Sequence, residues 1–118
     1  MSIGNLVNVP NGTNINFDFK LNDITYTFTL KYLSNTGIWT IRLQWERDGV
    51  QHDTYPIQLT TGFGLFSVYR NLLPVCFFCE TMNKEQPLTA DAFEKKKAFL
   101  KCCKWEEVKD FLAEQYDN

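Results

Sequence analysis

The chain has 118 residues, 44% hydrophobic and 15% aromatic with ten Phe, and a formal net charge of −2. That length suits one domain with one core, and so much aromatic surface excludes a disordered chain. The weak charge provides no field for a polyanion, which argues against nucleic acid or an acidic membrane surface as partner.

The opening "MSIGNLVNVPNG" lacks the basic n-region and long apolar run of a secretory leader, and no apolar run is long enough for a membrane span. The expectation is a chain made in a cytoplasm, with four reduced cysteines. Residues 1–12 read as an arm. Ile3, Leu6, Val7 and Val9 are apolar without a sustained period, and Pro10-Asn11-Gly12 turns the chain. Such an arm either adds a short strand or docks on a neighbour.

Strict alternation follows. "INFDFKL" puts Ile15, Phe17, Phe19 and Leu21 on one face, and Asn22-Asp23 supplies a tight turn. "ITYTFTLKY" repeats the pattern, with threonines on the solvent face. "LSNTG" turns again, with Gly37 free to take positive φ. In "IWTIRLQW", Trp39, Ile41, Leu43 and Trp45 are in phase, and Asp48-Gly49 is a hairpin signal. "VQHDTYPIQL" is a weaker strand, at an edge or bulged, because Pro56 cannot donate to a ladder. "TTGFGLFSV" reads as a bend into a short strand, and "VCFFCETM" as a further apolar strand. From Thr89, a candidate N-cap, the pattern becomes helical: one broken helix or two short ones, split near Cys102–Lys104. In the second piece Trp105, Val108, Phe111, Leu112 and Tyr116 fall on one stripe, which serves either the core or a partner.

The expected organisation is a 1–12 arm, a 13–88 antiparallel β domain and an 89–118 helical extension. The expected fold is mainly β (α+β): a small antiparallel β-barrel or sandwich of about six strands with a C-terminal helix or helices.

Nothing in the sequence forms a reaction centre, so the expectation is no enzyme and no cofactor. His52 is the single histidine, and its neighbour Asp53 points to the other face of a strand and cannot orient it. His52 therefore reads as a solvated polar residue. Cys76 and Cys79 have C-x-x-C spacing, but residues three apart on a strand face opposite ways. Together with Cys102 and Cys103 they read as buried structural thiols. Gly62-Phe63-Gly64 matches no phosphate loop, and "EKKK" at 94–97 reads as a solvated helix face.

The order "VNVPN", "FDFKLNDITYTFTLKYLSNTGIWTIRLQWERDGV", "PIQLTTGFGLF", "YRNLLP" resembles the small baseplate plug proteins of contractile-tailed bacteriophages. The likeness covers about residues 7–80 and reaches loosely to "PLTADAF". It rests on the arm with Pro10, the Tyr26–Tyr32 run, the strand of Trp39, the Asp48-Gly49 turn and the Ile57–Leu65 segment; the tail after Phe93 departs from the pattern. The resemblance implies a non-enzymatic virion component, made in the host cytoplasm and placed in the tail baseplate. It would contact hub and tube proteins and other copies of itself within the assembly, with no nucleic-acid or membrane partner. Its contact surfaces would be the arm, with Ile3, Leu6, Val7 and Val9, and the tail, with Trp105, Val108, Phe111 and Leu112. The alternatives are an aromatic-lined barrel that binds a ligand or carbohydrate, in which exposed Trp39 or Trp45 would matter, and a thiol-dependent metal or redox protein.

Overall fold

A computed structural model describes residues 4–82 and 88–116, with side chains as far as residue 110. Among the described residues, eight strands and one α-helix form two antiparallel sheets and a partial third layer.

The larger sheet follows the sequence signals. β2 (Asn14–Leu21), β3 (Ile24–Leu33), β4 (Ile38–Arg47) and β5 (Val50–Asp53) lie side by side in chain order. The β2–β3 turn is Asn22-Asp23, at φ 52° and 66°; the β4–β5 turn is Asp48-Gly49, at φ 54° and 77°. Paired left-handed residues give a two-residue hairpin the twist its strands need, and Asn, Asp and Gly tolerate them best. The longer β3–β4 turn closes with Gly37 at φ 70°, whose N–H donates to the Leu33 carbonyl at 2.8 Å. Tyr26, Phe28 and Leu30 on β3 and Trp39, Ile41, Leu43 and Trp45 on β4 are all buried on one face.

Pro56 breaks the fifth strand. β5 stops at Asp53, and pairing with β4 resumes at β6 (Ile57–Gln58). Thr54 bridges the gap: its N–H donates to the Leu43 carbonyl, and its hydroxyl accepts from the Leu43 N–H, both at 3.0 Å. The side chain thus replaces a ladder partner the proline region cannot supply. The expected strand within "TTGFGLFSV" does not form. Thr61 and Gly62 make isolated bridges to Cys79, and the chain then enters a 3-10 turn at Ser67–Tyr69.

The smaller sheet has the order β1 (Asn5–Val7), β8 (Ala98–Cys103), β7 (Cys76–Thr81). The arm does add a short strand. The helix expected across Ala92–Leu100 is corrected: residues 89–97 form turns, and 98–103 is a strand. "AFLKCC" alternates as well as it spirals, with Ala98, Leu100 and Cys102 buried on one face. Strands waiting on both sides decide the outcome over local propensity. Left-handed Lys96, at φ 58°, ends the preceding turn, where Lys97 and Ala98 both donate to the Ala92 carbonyl.

The two sheets pack face to face around Phe77. Its ring makes edge contacts with Phe19, Tyr26 and Phe28 at centroid distances of 6.0, 5.0 and 5.0 Å. The arrangement is a sandwich and not a closed barrel. α1 (Trp105–Tyr116) lies on the outer face of the small sheet, where Val108 joins Cys76, Phe78 and Cys103 in a second apolar cluster with Trp105 and Phe63 against it. All three tryptophans pin loops to this frame through indole N–H donors: Trp39 to the Thr89 carbonyl at 2.8 Å, Trp45 to Leu72 at 3.3 Å and Trp105 to Leu73 at 2.8 Å.

Candidate partner interface

The arm reaches the fold through a close backbone approach. Gly4 has φ 91°, and a Cβ there would lie 2.9 Å from the Cys102 carbonyl oxygen and 3.0 Å from the Phe78 ring. Val7 then enters the core opposite Leu100, while Leu6, opposite Lys101, is 53% exposed. Val9 is half-buried against the core. Between the arm and β8 runs an open depression of about 280 Å³, with Leu6, Val9, Phe93, Lys96 and Phe99 among its walls. Its floor is apolar and its rim carries a cation. Ile3 lies outside the described residues.

The tail is anchored at its start. The Trp105 ring is half-buried, with the Arg70 guanidinium 5.8 Å from its centroid, and Val108 is buried. The first-turn acids Glu106 and Glu107 suit the positive end of the helix dipole. The side chains of Phe111 and Leu112 lie outside the described ones.

The groups that could carry chemistry are used structurally. His52 is not merely solvated: it pairs with Trp45 across the ladder and stacks on its ring at 5.1 Å. Asp53 turns away to Arg42. The Arg42 Nε donates to Asp53 Oδ1 at 2.9 Å, Nη2 donates to Oδ2, and Tyr55 N–H donates to Oδ1 at 2.8 Å. The Arg42 hydrogen bonds hold the Asp53 carboxyl below its ordinary range and raise Arg42 in turn. The Tyr55 contact supports a residue held at φ 56°.

The four cysteines divide between the two faces of the small sheet. Cys79 and Cys102 belong to the main core, Cys76 and Cys103 to the cluster under α1. Cys76 and Cys103 are register partners on neighbouring strands, both within that cluster. Burial pushes Cys76 and Cys79 up to about 12 and Cys103 to about 11, and raises Cys102 as well. Thiols so placed stay protonated at neutral pH, which makes them poor nucleophiles. Trp39 and Trp45 are each 1% exposed, so neither ring offers an exposed platform for a ligand. No helix among the described residues is long and apolar enough to cross a membrane.

What remains is a frame with two attached ends, and a family signature runs through it. The model of the cyanophage baseplate Pam3 plug gp18 family matches residues 5–101. The chain belongs to that baseplate plug family. The match begins at the first residue of β1 and ends within β8, so it spans both sheets and stops short of α1. It extends the likeness read from "VNVPN" to "YRNLLP" through the region taken for helix. No curated protein sequence matches the chain.

Sequence reasoning placed the arm but missed the depression beside it, because the depression exists only once β8 pairs with β1. The alternation of Ala98, Leu100 and Cys102 was the available signal.

Proposed function

We propose that this chain is a structural, non-enzymatic part of a phage tail baseplate. In this reading it is made in the host cytoplasm, takes its place in the virion as a central plug, and contacts hub and tube proteins. The observation that carries the proposal is the baseplate plug family match, which runs from β1 into β8. The candidate interface lies along the arm, with Ile3, Leu6 and Val9, and along the tail, with Trp105, Phe111 and Leu112. Buried Val7 and Val108 root the two ends, which leaves exposed Leu6 and the depression beside it to receive a neighbour. An apolar hollow alongside a short edge strand suits an extended segment that offers main-chain hydrogen bonds and one or two apolar side chains.

The test is cross-linking mass spectrometry on purified particles of the phage that encodes the chain. The expected result is the chain in the particle, with Lys96 and Lys101 beside the arm, or Lys104 and Lys109 beside the tail, joined to hub or tube proteins. A chain abundant in infected cells but missing from particles overturns the proposal. A chain lacking residues 104–118 that stays folded but fails to assemble assigns the tail to the interface; loss of fold assigns it to the core.

A further inference from the structure

The edges of the two sheets are not equally protected. β1 offers three residues and β5 four, and β7 is partly covered where the Gly62 N–H donates to the Cys79 carbonyl at 2.9 Å. β2 is eight residues long, with no proline and no bulge in its ladder, and among the described residues no strand pairs with its other side. The ladder fixes which groups point outward. Tyr32 N–H donates to the Thr13 carbonyl, so Thr13 and Tyr32 are a hydrogen-bonded pair. By alternation, Ile15, Phe17 and Phe19 bond inward to β3. The main-chain groups of Asn16, Asp18 and Lys20 therefore face the open edge. Beneath them Phe17, Phe19 and Leu21 are only half-buried against the core.

From this edge we infer that two copies of the chain pair through β2, antiparallel and two-fold, with Asp18 of one opposite Lys20 of the other. The two-fold requires the outward-facing even residues to meet each other, which leaves few registers. A register centred on Asp18 sets two carboxylates face to face. One centred on Phe17 places Asn16 opposite Asp18 and compensates neither charge. One centred on Phe19 makes two Asp18–Lys20 pairs on the outer face, and brings Phe19 against Phe19 and Phe17 against Leu21 on the inner face. Opposite charges and aromatic pairs across a ladder are each favourable, and the half-buried apolar row gains cover. The Thr27 hydroxyl, which donates to Asp18 Oδ1 at 2.9 Å, keeps that carboxylate on the outer face.

Sedimentation equilibrium on the full chain, with amide exchange by NMR, tests the pairing. The wild type is expected to dimerise, with the Asp18 and Lys20 amides protected only at concentrations where dimer is present. Asp18→Lys makes the edge doubly basic and Lys20→Asp makes it doubly acidic; each alone should dimerise about tenfold or more weakly. Mixing the two variants should restore pairing, because each then meets its opposite twice. A wild type that stays monomeric to about 0.1 mM overturns the inference. So does a dimer indifferent to both substitutions, or one that leaves the Asp18 and Lys20 amides in fast exchange. The amide readout needs only wild-type protein, so a variant that fails to fold does not remove the test. The result bears on β2 alone, whereas the baseplate reading is decided by the particle experiment.

Discussion

The five-stranded sheet grows by hairpins whose turns lie between neighbouring strands, whereas the three-stranded sheet collects β1 from one end of the chain and β7 and β8 from the other. Each hairpin carries its own instructions. Asn22-Asp23 and Asp48-Gly49 take the left-handed conformations their turns require, and strict alternation sets the register. The small sheet has no such local guide. Asn5 must find Cys102, and β8 is specified by the two strands beside it more than by its own residues. The large sheet should accordingly tolerate surface change well. The small sheet should depend on a few contacts that tie it down.

The largest expected effect is at the contact between the sheets. Phe77→Ala removes the ring that meets Phe19, Tyr26 and Phe28, and should cost about 3–5 kcal/mol in denaturant unfolding. If the loss is under about 1 kcal/mol, the sheets are not joined there. High pH should come next and weaken the packing between the sheets, most of all through the thiols of the small one. Burial raises the thiols of Cys76, Cys79 and Cys103 from an ordinary 9.0 to about 11–12, and the Tyr26 hydroxyl from 10.0 to about 12. A raised folded-state value means that the stabilisation is complete below about pH 9 and is lost as pH rises towards the folded values. Under reducing conditions the chain should lose a few kcal/mol between about pH 9 and pH 11. Cys79→Ala should flatten that decline; an unchanged slope would assign it to other groups.

The contrast also explains what could be read in advance. β2, β3 and β4 were legible because a period of two and a turn signal agree at every step. The break at Pro56 was legible because a missing N–H is a local fact. That the Thr54 hydroxyl would fill it was not, since the donor it accepts from belongs to Leu43, on another strand. The 98–103 strand was misread because Ala, Phe, Leu and Lys suit a helix, and the pairing that overrides them lies far away in sequence. Of the candidate interface, the apolar arm was visible. The division between rooted Val7 and exposed Leu6 was not, because it follows from register with β8.

The same substitution at two glycines measures the contrast at finer scale. Gly4 and Gly37 both have positive φ, at 91° and 70°. At Gly37 an added Cβ meets nothing closer than the Tyr32 hydroxyl at 3.7 Å, so Gly37→Ala carries only the backbone cost, about 1 kcal/mol. At Gly4 the Cβ also runs into the Cys102 carbonyl at 2.9 Å, a backbone atom that cannot step aside without parting β1 from β8. Gly4→Ala should therefore cost more, about 2 kcal/mol, and its effect should be local. Met82 N–H donates to the Lys97 carbonyl, so by alternation Phe99 and Lys101 bond to β7, while Leu100 and Cys102 bond to β1. Amide exchange in Gly4→Ala should accelerate at Leu100 and Cys102 and leave Phe99 and Lys101 protected. Equal acceleration at all four would mean that the small sheet opens as one unit, and that β1 is part of its core and not an attached arm.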